Sequence, residues 1–205
     1  PENIKVNNLL PPPDLATLPF PDRTNLEFYL DKAGYWTIDT SRGCPWSWCS
    51  FCSNSAFERH HGGEVWRNRP AVAVVRELVD LYQTYGVRRF KTNDPNLFGP
   101  IGQEGTRHVW ELCQGFIEAK ERGHLPPNLS LMSFIRGEDV ASQPKLLAMM
   151  RRAGWDRLLV GIESSNNVTL DPHHFNKGET VEVITRALED IRGAGMSVVA
   201  GFMIF

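Results

Sequence analysis

Cys44, Cys49 and Cys52 stand in one run, Cys44-Pro-Trp-Ser-Trp-Cys49-Ser-Phe-Cys52, and account for three of the four cysteines in the chain. Thiolates are the metal-binding and nucleophilic form of cysteine. Thiols this crowded are too close for easy mutual bridging, and an odd trio does not make a disulfide scaffold, so a reducing compartment fits them better. The spacing C-x4-C-x2-C lets them converge on one metal centre. A complete iron–sulfur ligand set usually has four cysteines. The remaining one, Cys113, falls on an apolar stripe with Val109, Leu112, Phe116 and Ile117 and reads as a small buried hydrophobe. The trio therefore leaves a coordination position open, as catalytic metal sites do and structural ones do not. A zinc site completed by His60 or His61 is the rival reading. Zinc ligands more often come as two separated C-x2-C pairs than as a single run of three.

The elements that must position these thiols are legible as an alternation. Residues 35–40 (YWTIDT), 87–92 (VRRFKT), 129–135 (LSLMSFI), 157–163 (RLLVGIE) and 197–205 (SVVAGFMIF) read as strands, being rich in β-branched and aromatic residues. Between them, residues 70–85, 107–123, 144–154 and 180–195 carry a helical period. Pro70 suits a first turn, Thr180 an N-cap, and Gly86 and Gly154 mark stops. Strand–helix alternation with short connections implies parallel strands and crossover helices. Strands such as RLLVGI are apolar on both faces, as a sheet covered by helices requires. An open doubly wound sheet and a β/α barrel both satisfy this pattern, and both place active sites at the C-terminal ends of the strands. The polar residues fall there: the cysteines after the first strand, Asn93 and Asp94 after the second, Arg136 after the third and Glu163 at the end of the fourth.

Residues 1–34 lack such a period. Pro11, Pro12, Pro13, Pro19 and Pro21 make an extended lead-in, and Leu15, Leu18, Phe20, Leu26 and Phe28 give it something to lay against an apolar surface. The chain has 205 residues and a net charge of −2. This lacks the basic footprint of a nucleic-acid binder, and no apolar run is long enough to span a bilayer. Without a secretory signal, a cytoplasmic protein is expected. The chain begins at Pro1 without a methionine and stops at Phe205 in an apolar run, so we read it as a fragment of a longer protein.

The cysteine run resembles the signature of the radical S-adenosylmethionine (radical SAM) enzymes, normally C-x3-C-x-aromatic-C on the loop after the first barrel strand. The resemblance implies a partial (β/α) TIM-like barrel over residues 35–205, with five strands present and the barrel cut short at the C-terminus. It implies that Cys44, Cys49 and Cys52 hold a 4Fe–4S cluster. The fourth iron of that cluster is chelated by SAM, which is cleaved reductively to a 5′-deoxyadenosyl radical. Cys44 and Cys49 enclose four residues where the family has three; the extra one, among Pro45, Trp46, Ser47 and Trp48, can bulge without moving the sulfurs.

By the same resemblance Phe51 flanks the adenine, Asn93 or Asp94 accepts from the SAM ammonium, and Arg136 faces its carboxylate. Gly161 lets the backbone approach the cofactor, and Glu163 accepts from the ribose hydroxyls. Lys177, in the recurrent run FNKGET, receives no chemistry, and no residue is assigned as a catalytic acid or base. The family's Gly-Gly-Glu motif is missing after the second strand, and the GGE at Gly62–Glu64 lies elsewhere. The segments DLATLPFPDR (14–23) and GGEVWRNRP (62–70) resemble the cobalamin-dependent subfamily, which implies cobalamin carried by a domain preceding Pro1. Residues 1–34 would then link that domain to the core. The expected chemistry is cobalamin-dependent methyl transfer or a related radical modification of a small molecule or peptide, with an electron donor such as flavodoxin or ferredoxin. A cobalamin-independent radical SAM enzyme and a zinc- or cluster-stabilised binding module are the alternatives.

Overall fold

The computed structural model describes residues 12–29, 34–54, 65–100 and 103–204. His60, His61 and the GGE at Gly62–Glu64 lie outside them. Strands β1 (Trp36–Ile38), β4 (Arg89–Thr92), β5 (Ser130–Ile135), β6 (Trp155–Glu163) and β7 (Ser197–Phe202) form one parallel sheet in that spatial order. Helices α1 (Ala71–Tyr85), α2 (Gln103–Glu121), α3 (Pro144–Ala153) and α5 (Val181–Gly193) connect them, with a short α4 at Asn167–Leu170.

This arrangement decides between the two architectures. The strands run in sequence order with no reversal, and consecutive helices pack side by side, α1 on α2, α2 on α3 and α3 on α5. A doubly wound sheet reverses its strand order and places helices on both faces; an open portion of a β/α barrel does neither. The expectation of strands buried on both faces needs amendment. In β5 buried and half-buried residues alternate throughout. Phe90, Leu131, Ile135, Leu158 and Val160 are buried in one core with Leu78, Leu112, Phe116, Leu147 and Ile184 from the helices. The alternate residues, such as Lys91, Met132, Phe134 and Leu159, are only half-buried on the uncovered face. Each fully buried Leu or Phe contributes about 1.5–3 kcal/mol, so the helix layer carries the stability. Cys113 belongs to that layer, fully buried in the core, and burial pushes its thiol strongly up.

The helix ends follow local chemistry. Gly86 closes α1 in the left-handed region (φ 71°), donating its N–H to Leu81 and Tyr82 carbonyls; Thr180 caps α5 by accepting from the Val183 amide. The lead-in is tied down by Leu15 and Leu26, both buried, and by Arg23, whose Nη2 lies 2.9 Å from Oε1 of the buried Glu77. Leu18 and Phe28, by contrast, are exposed. No helix among the described residues is long and apolar enough to cross a membrane.

One feature had no sequence signal. β2 (Ser41–Gly43) pairs antiparallel with β3 (Trp66–Asn68), outside the main sheet. Three-residue strands are too short to show a period.

Candidate cofactor site

The cysteine loop is built on a tied base. Asp94, buried at the end of β4, accepts from the Thr40 and Ser41 amides at 2.8 Å each and from Thr40 Oγ1 at 2.7 Å. Burial pushes its carboxyl up to about 6, against the pull of those bonds. Its side chain thus holds the turn between β1 and β2, while the side chain of neighbouring Asn93 is exposed. Replacing Asp94 by Ala leaves two buried amides unpaired, at roughly 1–3 kcal/mol each. A loss of about 2–4 kcal/mol in chemical unfolding is expected, and less than half of that for Asp94→Asn, which keeps the shared acceptor. Equal losses for both would show that the carboxylate charge, not amide pairing, is what matters.

Gly43 starts the loop with φ 88°, and an added Cβ would meet Val65 O at 2.0 Å. Between Cys44 and Cys49, Ser47 is buried and turns left-handed with φ 50°. On either side of this turn, Trp48 is exposed and Trp46 is packed inward.

The loop docks on residues 174–178. Trp46 Nε1 donates to Asn176 O at 2.7 Å, Asn176 Nδ2 donates to Trp48 O at 3.1 Å, and Ser50 bonds Phe175 O (3.0 Å) and His174 O (2.6 Å). Phe51, partly exposed, meets Phe175 edge-on at 5.2 Å. Gly178 has φ 72°, and a Cβ there would come within 2.2 Å of the Trp46 indole.

Beneath the loop lies a cluster of buried and half-buried charges. The Arg136 guanidinium sits 4.7 Å from the Trp46 ring centre, and its Nη2 lies 2.7 Å from Glu138 Oε1. Its Nε and Nη1, although buried, have no hydrogen-bond partner. Lys177 Nζ lies 3.3 Å from Glu179 Oε2 and 3.9 Å from Glu163 Oε1. Glu179 also accepts from the Glu138 amide at 2.7 Å. Glu163 closes β6 with φ 63°, beside a register irregularity at Gly161, where a Cβ would fall 2.5 Å from Glu163 Oε1. Burial raises the Glu163 and Glu138 carboxyls, opposed by Lys177 and Arg136.

Four described non-glycine residues have positive φ, and three of them, Ser47, Glu163 and Asn176, belong to this one site. Such backbone costs about 1–3 kcal/mol each and persists where surrounding structure enforces it, commonly at functional sites.

The thiols of Cys44, Cys49 and Cys52 are all half-exposed and free. Burial pushes Cys44 up, against the Ser47 and Trp46 amides and Arg136, and pushes Cys49 up to about 11, against Lys177 and Arg136. Among the described residues no three His, Cys, Asp or Glu side chains close on a point that one ion could fill. A tetrahedral zinc needs that convergence, and His60 and His61, which the zinc alternative would take as a fourth ligand, lie outside the described residues. The donor set suits the cluster: three thiols on one loop, two buried cations nearby, and two unpaired guanidinium N–H groups able to meet a carboxylate.

The structure thus gathers Arg136, Gly161 and Glu163 beneath the cysteine loop and sets Asp94 at its base. Lys177, Glu179, Glu138 and Trp46 complete the site and were not singled out from sequence for a role there. The only signal was the run Asn176-Lys-Gly178, whose flanking residues suit left-handed turns.

Residues 38–205 match the sequence profile of the radical SAM superfamily. The chain belongs to that superfamily. Its relatives include the anaerobic magnesium-protoporphyrin IX monomethyl ester cyclase of Synechocystis sp., 28% identical over 193 residues, a match covering 87% of this chain and 35% of the cyclase. The chain thus spans about a third of that curated relative. Among solved structures, the cobalamin-dependent S-adenosylmethionine radical enzyme OxsB with aqua-cobalamin bound superposes with a TM-score of 0.69 at 23% identity, over 82% of this chain and 24% of OxsB. The radical SAM methyltransferase TsrM of Kitasatospora setae, with cobalamin and a [4Fe-4S] cluster bound, gives 0.67 at 20% identity, over 86% of this chain and 30% of TsrM. These likenesses agree with the β/α barrel portion seen here.

Proposed function

We propose that the full-length protein is a radical SAM enzyme in which Cys44, Cys49 and Cys52 hold a 4Fe–4S cluster. The observation that carries the reading is one loop offering three half-exposed thiols above a buried guanidinium with two unpaired N–H groups. When bound, the cluster supplies the electron that cleaves SAM. Arg136 offers Nε and Nη1 to the SAM carboxylate in a charge-assisted pair. Asn93, exposed at the strand end, accepts from the ammonium, and Asp94 acts beneath it by holding the turn. Gly161 keeps the backbone open to the cofactor, Glu163 accepts from the ribose, and Phe51 with Phe175 forms an aromatic edge for the adenine.

We further assign the protein to cobalamin-dependent methyl transfer or a related radical modification of a small molecule or peptide. The cobalamin would be carried outside this chain, and the electron would come from a flavodoxin or ferredoxin in the cytoplasm. Support comes from the cobalamin-bound state of OxsB and TsrM and from the lead-in run 14–23.

Glu163→Ala tests the cofactor assignment in full-length, anaerobically reconstituted protein. Iron and sulfide should stay at wild-type content while SAM affinity falls by about 1.5–3 kcal/mol, the scale of a hydrogen bond involving a charged group. Iron lost in parallel with SAM binding would place Glu163 at the metal instead. Zinc in place of iron and sulfide in the wild type would favour a metal-stabilised binding module.

A further inference from the structure

We propose that Lys177 is a positioning residue that sets the reduction potential of the metal centre, by holding one fixed positive charge under the cysteine loop. The inference rests on the cluster reading above. Lys177 is buried at 5% exposure, and burying an ammonium is costly unless carboxylates compensate it. Two do: Glu179 Oε2 at 3.3 Å and Glu163 Oε1 at 3.9 Å.

The backbone leaves this charge little freedom. Asn176 and Gly178, on either side of Lys177, are both left-handed, with φ 49° and 72°. Both are also bound to the cysteine loop, Asn176 through Trp46 Nε1 and the Trp48 carbonyl and Gly178 through contact with the Trp46 ring. The backbone that carries the ammonium is therefore tied to the loop that carries the thiols.

One-electron reduction of a cluster adds one negative charge, and a fixed cation in a poorly solvated site favours the more negative state. Removing that cation makes reduction harder; removing a carboxylate beside it makes reduction easier. The carboxylate Glu179, whose side chain is fully buried, is the natural opposite control.

The experiment uses full-length protein, reconstituted anaerobically and titrated with dithionite, with the reduced cluster followed by electron paramagnetic resonance. Lys177→Met should retain wild-type iron while its electron affinity falls about tenfold, or about 59 mV lower for one electron. Lys177→Arg should titrate close to wild type, and Glu179→Gln should shift upward. A full-iron Lys177→Met with an unchanged midpoint overturns the inference, as does an arginine variant as low as the methionine one. Should Lys177→Met fail to load iron, Glu179→Gln decides: a raised midpoint supports the charge argument and an unchanged one overturns it. A wild-type protein that binds no 4Fe–4S cluster refutes the cluster reading instead, before any variant is compared.

Discussion

Full-length protein in which Cys44, Cys49 and Cys52 are all replaced by alanine will contain no iron and release no 5′-deoxyadenosine from SAM, whereas Cys113→Ala will load as much iron as the wild type. The contrast follows from where the four thiols lie. Three are half-exposed on one loop, close to Arg136 and Lys177. The fourth is fully buried among Leu112, Phe116 and other core residues, where its thiol stays protonated and packs as a small hydrophobe. Removing that sulfur costs stability on the scale of a small core truncation, about 1 kcal/mol, and leaves the metal site intact. SAM cleavage by the triple variant would end the radical mechanism, and iron loss in Cys113→Ala would make Cys113 a fourth ligand.

Gly43→Ala will unfold at markedly lower urea concentration, by about 2–5 kcal/mol, and lose iron with it. Two costs combine. A side chain in the left-handed region costs about 1–2 kcal/mol, and Gly43 has φ 88°. Its Cβ would also fall 2.0 Å from Val65 O, a backbone atom that cannot swing aside, adding about 1–3 kcal/mol as overpacking. Either the β2–β3 pairing opens or the loop entering Cys44 shifts. The denaturation slope should stay constant, so that the midpoint reports stability alone. A loss under about 1 kcal/mol, the ordinary size for a point substitution, would show that this pairing is dispensable.

The strands and helices were legible because their cause is local. The apolar stripe of α1, its stop at Gly86 and the Thr180 cap all act within a few residues. The cysteine loop was legible by type and spacing. Its supports were not, because they come from far along the chain. Asp94 reads as a strand-end acid equally suited to a ligand or a turn; only the fold brings Thr40 and Ser41 to it, 54 and 53 residues away. Lys177 looks like any lysine in a polar loop until Glu163 and Glu179 close on it. That the helices cover only one face of the sheet was likewise hidden, since apolar residues on a strand do not say which face the helices cover.

The contacts that shape the cysteine loop span 124 to 130 residues of sequence. Contacts of that separation form late, after the intervening chain has been collapsed and its loop entropy met. In a polypeptide made from its N-terminus, Cys44 to Cys52 emerge well before His174 to Gly178. During that interval the three thiols are ordinary accessible cysteines on an unshaped segment, open to oxidants and stray metal ions. The loop acquires its folded form only when α4 and the turn after it have been synthesised and docked. Loading of the proposed cluster would thereby be tied to completion of this part of the sheet.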